Sequence, residues 1–368
     1  MRILYAYPKW HTVSFSLVAK KHIEYMRRIC CLELHEIDEL QVPTFTPSSR
    51  YTLILHPAFY IMHRVIQSRR DVFGKFREDY FRWWRSNYDQ LVGIDVCDSD
   101  CFSKYAVMLA NRYDKFIVPS KFCVEVAKKS GIKSKVYRVP HGVDPEWYEL
   151  PNIWESAPVS AISPALLQLY LYKLRKNKKI ILFWLWHSGE RKGWPEVYEF
   201  YTKLRRERDD VVLVLKTWVP NPIEYQQTMH LGCINIYGWI SETDKMALFD
   251  LADITLNFSR GGGFELNCLE SLARGTPCIA SDYGSWTDYV PSYLLIKRGK
   301  KVQPLPNNVL HSGYGYTVDV EDALNKVHEI LDNIEEYKCR VLEWRERVLK
   351  KEFRWDVVAK KIVEVLMD

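Results

Sequence analysis

The stretch Ser259–Asp282, SRGGGFELNCLESLARGTPCIASD, constrains the fold more than any other part of the chain. Three consecutive glycines, Gly261, Gly262 and Gly263, separate a β-rich segment (Ile254, Thr255, Leu256, Asn257, Phe258) from a helix-like one over 265–273. A second glycine turn at Gly275 leads into another short strand, 277–280. Glycine has no Cβ, so the backbone there can come very close to a ligand. A helix starting just beyond aims unpaired N–H groups and a positive dipole end at the same place. A chain that holds a diphosphate needs this combination.

The alternation of strands and helices continues along the chain. Strands are predicted at 2–7, 34–37, 52–56, 91–96, 115–118 and 136–139, with helices over 14–28 and 121–129, the latter capped by Ser120. After residue 180 the pattern restarts. Strands are predicted at 180–186, 211–216, 233–237, 254–258, 277–281 and 293–296, and helices at 195–208, 242–251, 265–273, 320–333 and 338–350. Such alternation predicts parallel sheets flanked by helices. A length of 368 residues suits two domains. The expected division is an N-terminal domain over 1–160, a linker over 161–179, a second domain over 180–350 and an amphipathic C-terminal helix over 351–368.

With 47% hydrophobic and 27% charged residues, the chain is of globular and not disordered type. The longest strongly apolar run, Ile180–Trp186, is far too short to span a bilayer, and no signal peptide is read at the start, so a cytoplasmic location is expected. The nine cysteines are an odd number scattered through apolar segments with no CxxC pair. Free thiols are expected, without a disulfide framework or a metal site. A net charge of +6 suits anionic ligands or lipid surfaces. No nucleic-acid motif accompanies it, so no nucleic-acid partner is expected.

The run GFELNCLESLARGTPCIASD resembles the signature of the group 1 glycosyltransferases, E-G-F-G-L-x-x-x-E-A-x-A-x-G-x-P-V-I-A-S, at Gly263, Phe264, Leu266, Glu270, Ala273, Gly275, Pro277, Ile279, Ala280 and Ser281. The family usually carries two glutamates here. The second is Glu270; the place of the first holds Gly262, and Glu265 lies three positions on. The resemblance implies a GT-B fold, two Rossmann-like domains facing each other across a cleft. It also implies transfer of a hexose from a nucleoside diphosphate-sugar (UDP- or GDP-linked) to an acceptor hydroxyl, with retention of configuration and no tightly bound metal or cofactor. The acceptor class, glycan, lipid or protein, stays open. So does a catalytically silent sugar-nucleotide binder or scaffold that kept the fold and lost the first glutamate.

A second loop, WHSGERKGW at 186–194, follows an apolar strand and precedes a helix. Gly189 and Gly193 permit a tight turn, and Arg191 and Lys192 put two cations where α/β folds bind ligands. The family's similar G-x-x-x-x-K-G loop contacts the donor diphosphate. By that likeness Arg191 and Lys192 neutralise the leaving nucleotide, with Arg260 as a further candidate. Glu270 is the expected ribose ligand. Glu265 is either a helix N-terminal charge or a substitute for the missing glutamate, touching the donor hexose. With the motif residues Gly262, Gly263, Phe264 and Leu266, the Gly238-Trp239-Ile240 segment completes the expected donor site. Its backbone would read the base and Trp218 or Trp239 would stack on it, or both aromatics are core.

The acceptor side offers Asp95, Asp98 and His141, the last in a P-H-G-V-D turn like the family's P-N-G-V-D. The triplet Asp98-Ser99-Asp100 has the form of a metal-binding DxD but lies far from the phosphate loops and is read as a decoy. Residues 59–90 mix Arg64, Arg69, Arg70, Lys75, Arg77, Arg82 and Arg85 with Phe73, Phe76, Phe81, Trp83 and Trp84. They form either a peripheral membrane contact or helices packed on their own domain.

Overall fold

The computed structural model describes every residue except 30–31, 72–73, 187–188 and 219–220. Cys30, Cys31, Phe73 and part of the WHSGERKGW loop therefore lie outside the described residues. The chain forms two compact units. One comprises Met1–Gly142, Pro306–Gly313 and Phe353–Asp368, the other Val143–Leu305 and Tyr314–Glu352.

The first unit begins with β1 (Arg2–Tyr7), α1 (Ser14–Met26), β2 (Glu33–Asp38), β3 (Tyr51–Leu55), α2 (Ala58–Gln67) and α3 (Glu78–Arg85). It continues with β4 (Tyr88–Ile94), α4 (Lys104–Ala110), β5 (Lys115–Val118), α5 (Lys121–Ser130) and β6 (Lys135–Arg138). Its six strands run parallel in the order β2-β1-β3-β4-β5-β6. Leu53, Phe59, Trp84, Leu91 and Phe116 fill one face of the sheet with buried apolar surface. The basic–aromatic stretch 59–90 is thereby resolved into α2 and α3, packed on their own unit. Phe59, Phe81 and Trp84 are buried, Arg112 grips Glu78 at 2.7 Å, and Arg69 donates to the Pro43 carbonyl. Trp83 and Tyr80 stay exposed.

The second unit holds α6 (Glu146–Glu149), α7 (Ile153–Ser156), α8 (Pro164–Lys176), β7 (Lys179–Leu185), α9 (Gly189–Lys192) and α10 (Trp194–Glu207). Next come β8 (Val211–Thr217), α11 (Pro222–Leu231), β9 (Ile234–Tyr237), α12 (Glu242–Leu251), β10 (Ile254–Asn257), α13 (Leu266–Ala273) and β11 (Cys278–Ser281). The short β12 (Leu295–Ile296) and an antiparallel hairpin, β13 (Arg298–Val302) with β14 (Gly315–Val318), follow. α14 (Val320–Asp332), α15 (Ile334–Trp344) and α16 (Lys350–Glu352) complete it. The main sheet is parallel, ordered β12-β11-β10-β7-β8-β9.

Two differences from the expected layout have clear causes. The expected linker, 161–179, falls inside the second unit, which begins at Val143 and whose first residues are fixed by Arg274. It forms a fully buried fork on Asp250 (2.8 Å) and donates to the carbonyls of Trp147, Leu150 and Pro151. Trp154 and Ser163 then bond to Ala247 and Asp244 of α12. The helix expected over 338–350 is instead α15 followed by a π-helical turn, Arg345–Leu349. The last helix, α17 (Trp355–Met367), packs along α1 in the first unit. A Cβ on Gly142 would lie 2.8 Å from the backbone of Arg354 and Trp355, so the 140–144 turn needs its glycine for that close approach. Among the described residues no helix is long and apolar enough to cross a membrane.

Candidate active site

The carboxyl ends of β7, β8, β9 and β10 carry the polar residues of the second unit. In a parallel sheet with helical crossovers, that edge is where ligands bind. Beyond β7 the chain turns into α9, which presents Arg191 and Lys192. Gly193 closes the loop at φ +82°, and a Cβ there would stand 2.0 Å from the Phe258 carbonyl oxygen. Only glycine lets the α9–α10 joint lie on the end of β10. The Arg260 N–H then donates to the Arg191 carbonyl at 2.8 Å, and Arg191 Nη1 donates to the Gly261 carbonyl at 3.0 Å. The two loops singled out in the sequence are one substructure.

Glu265 sits at the centre of it. The residue precedes α13 in extended conformation (φ −108°, ψ 94°), not in the first helical turn, and its side chain does not cap the helix. Its carboxylate points inward, 3% exposed, to Lys192 Nζ at 2.5 Å, Ser259 Oγ at 3.1 Å and Arg191 Nη1 at 3.9 Å. The Tyr289 hydroxyl bonds both the Glu265 N–H (3.1 Å) and its carbonyl (3.0 Å), while the Tyr289 ring stacks on Phe264. A Cβ on Gly262 would lie 2.4 Å from Glu265 Oε1. The Glu265 carboxylate thus fills the space that a side chain at 262 would need. Ser285 anchors the turn by donating to the Gly262 carbonyl.

A second grouping surrounds Glu270, which is buried on α13 and ion-paired with Lys245 of α12. Burial lifts the Glu270 carboxyl above its ordinary range against the pull of Lys245. The Lys245 ammonium is itself raised, the neighbouring carboxylates outweighing its burial. Lys245 also lies over the rings of Trp147 and Trp184. Lys216, at the end of β8, lies over Trp184 and Trp186 and donates to the Gly238 carbonyl. Burial, with Lys245 second, pulls its ammonium down to about 8. Among the described residues no carboxylate pairs with it. Trp186 in turn meets Trp218 (5.4 Å) and Trp239 (5.0 Å), both half exposed. Thr217 Oγ1 and Asn257 Nδ2, at the ends of β8 and β10, are buried without a hydrogen-bond partner among the described residues.

The structure therefore joins Arg191, Lys192, Gly262 and Glu265 in one cluster. Glu270 reaches Trp239 through Lys245, Trp184, Lys216 and Trp186. Gly263 is buried in the glycine turn, Leu266 opens α13 half-buried, and Ile240 lies beside Trp239 just before the Ser241 cap of α12. Gly189 opens α9 two residues before Arg191 and packs against the Glu224 carboxylate of α11. Arg260 is paired with carboxylates of its own unit. Its guanidinium forks onto Glu196 and reaches Glu190 at 3.0 Å, which consumes its charge. Lys216, Lys245 and Tyr289 were not singled out by the sequence, and Trp186 was read only as the first residue of the 186–194 loop. Each is brought in by strand register or from a distant segment. The one local signal was a lysine ending an otherwise apolar strand.

In the first unit, Asp95 is fully buried at the N-terminus of α2, accepting from the N–H groups of Phe59 and Val96, both at 2.8 Å. Burial raises its carboxyl to about 7. His311 accepts from the Asp98 N–H at 3.3 Å. His141 is buried against His22 and Trp355, where desolvation lowers its imidazole to about 3.

Two Rossmann-like units, one with cations and a glycine turn at its strand ends, form a GT-B fold. The family model described as Glycosyl transferases group 1 matches residues 178–310. Uncharacterized protein 356 of Sulfolobus islandicus rod-shaped virus 1 is 31% identical over 99% of this chain and 98% of its own. Sucrose-phosphate synthase from Thermosynechococcus elongatus superposes with a TM-score of 0.65 at 15% identity, covering 100% of this chain and 98% of that one. The E. coli trehalose-6-phosphate protein bound with UDP-2-fluoro glucose superposes with a TM-score of 0.67 at 10% identity, covering 100% and 99%. The chain belongs to the group 1 glycosyltransferases.

Proposed function

We propose that this chain transfers a hexose from a nucleoside diphosphate-sugar to an acceptor hydroxyl with retention of configuration. The observation that carries the reading is the convergence of Arg191, Lys192 and the Glu265 carboxylate beside the Gly261–Gly263 turn. Arg191 forks onto the diphosphate and Lys192 acts as a point charge, together stabilising the negative charge that builds on the departing nucleotide. Glu270 accepts from the ribose hydroxyls. The Trp239-Ile240 backbone reads the base, and Trp186, Trp218 and Trp239 give it a stacking wall. Glu265 stands in for the absent glutamate at 262 and faces the donor hexose. Asp95, poised near neutrality by burial, is the candidate base toward the acceptor, with Asp98 beside it. UDP- and GDP-sugars are the candidate donors, and the E. coli neighbour's UDP-2-fluoro glucose favours the first.

One observation favours a silent binder, namely that Gly262 stands where the family's first glutamate usually does. Donor hydrolysis by purified protein separates the two readings. Turnover lost in Arg191→Ala and Glu270→Ala supports transfer. Nucleotide binding without turnover, over a panel of donors and acceptors, supports the silent binder. The anomeric configuration of any product, read by NMR, tests retention.

A further inference from the structure

Behind the donor loop the second unit has a cavity of about 230 Å³ lined by Tyr293, Arg340, Glu343, Trp344 and Arg347. It opens where α15 gives way to the π-helical turn, a distortion that recurs at functional sites. Arg340 lies over the Tyr293 ring at 4.0 Å and is 3.6 Å from Glu336. Arg347 lies over Trp344 at 5.5 Å, and no carboxylate among the described residues pairs with it. The Tyr293 hydroxyl is shielded from water and has no hydrogen-bond partner among the described residues. Burial lifts it to about 12, so it stays protonated and able to donate. Two guanidinium groups, one idle hydroxyl and one acid give the lining a net positive charge. A buried polar group left unsatisfied carries a penalty that a ligand atom would relieve. The volume is below the roughly 300–1,000 Å³ of sites for drug-sized ligands, which excludes a nucleotide-sugar.

We infer that Arg340, Arg347 and Tyr293 form a second anion site, which takes a small phosphate group, either free or carried on a hexose. The site rests on none of the donor assignments. The Trp344 indole N–H donates to the Tyr289 carbonyl at 2.9 Å, and Tyr289 holds the Glu265 backbone, so the cavity backs directly onto the donor loop.

Isothermal titration calorimetry of the full chain with inorganic phosphate, and separately with a hexose phosphate, tests this at fixed ionic strength. The expected result is saturable one-to-one binding of at least one of the two, and the tighter ligand identifies the source. The site should persist in Arg191→Ala. It should weaken at least tenfold in Arg347→Ala and several-fold in Tyr293→Phe, and stay unmoved in Lys351→Ala, an equal charge change outside the cavity. Arg347 is exposed, so its removal leaves folding intact, and a circular-dichroism melt verifies this. No saturable binding by either ligand overturns the inference. So does binding lost in Arg191→Ala but kept in Arg347→Ala, or weakened equally by Lys351→Ala.

Discussion

Replacing Glu265 by Gln removes a negative charge that pairs with Lys192 and lies near Arg191, while keeping the side-chain shape. The Lys192 and Arg191 side chains are 19% and 13% exposed, against 3% for Glu265. Breaking a buried ion pair by removing one partner costs roughly 3–5 kcal/mol, and the residual water contact of both cations lowers this to about 2–3 kcal/mol. For a unit of this size each kcal/mol shifts the melting temperature by about 2–4 °C, so Glu265→Gln should melt roughly 5–10 °C lower. A bound diphosphate restores the missing charge. UDP should therefore stabilise the variant more than the parent protein and bind it more tightly, while transfer rate falls. Differential scanning fluorimetry with and without UDP reads all but the rate. A variant that melts within about 1 °C of the parent and gains no more from UDP would refute the reasoning.

Three further outcomes follow from the same geometry. Gly193→Ala places a Cβ against the Phe258 carbonyl at positive φ and should cost roughly 2–4 kcal/mol in chemical denaturation, with loss of nucleotide binding. Lys216→Met should stabilise the fold by about 1–2 kcal/mol at pH 7, because the charged form is disfavoured in the folded state, yet weaken UDP binding; the two are read by denaturant titration and calorimetry. His141 protonates near its ordinary value when unfolded but only near 3 when folded, so its contribution is full above pH 6.5 and is lost as pH falls toward 3. His141→Phe should remove of order 4 kcal/mol of that acid sensitivity, measured by denaturation at pH 7 and at low pH. His22 and His56, also lowered by burial, retain the rest of the slope.

Both parallel sheets were legible because most central strands, such as β1, β3, β5, β7 and β8, are short apolar runs bounded by turn residues. The two loops that meet at Arg191 and Arg260 stand out locally, since glycines and cations sit together in sequence. Elements that depend on tertiary partners were harder to read. The boundary near 160 is placed in sequence at the end of the first sheet, and only the fold reveals that Arg274 ties Trp147, Leu150 and Pro151 to the second unit. The hairpin of β13 and β14 is hidden by the long excursion between its strands. Arg260 looks like a phosphate ligand in sequence, and only the fold reveals Glu196 beside it. The role of Tyr289 in fixing Glu265 has no local signature, because the two residues meet through a turn after β11.

The most direct measurement is a crystal structure of the chain soaked with a UDP-sugar. The diphosphate should lie within hydrogen-bonding reach of Arg191, Lys192 and the Gly261–Gly263 backbone, with the ribose on Glu270 and the hexose toward Glu265. A diphosphate bound elsewhere, with Lys192 still paired to Glu265 and the glycine turn empty, would contradict the assignment of this loop pair as the donor site.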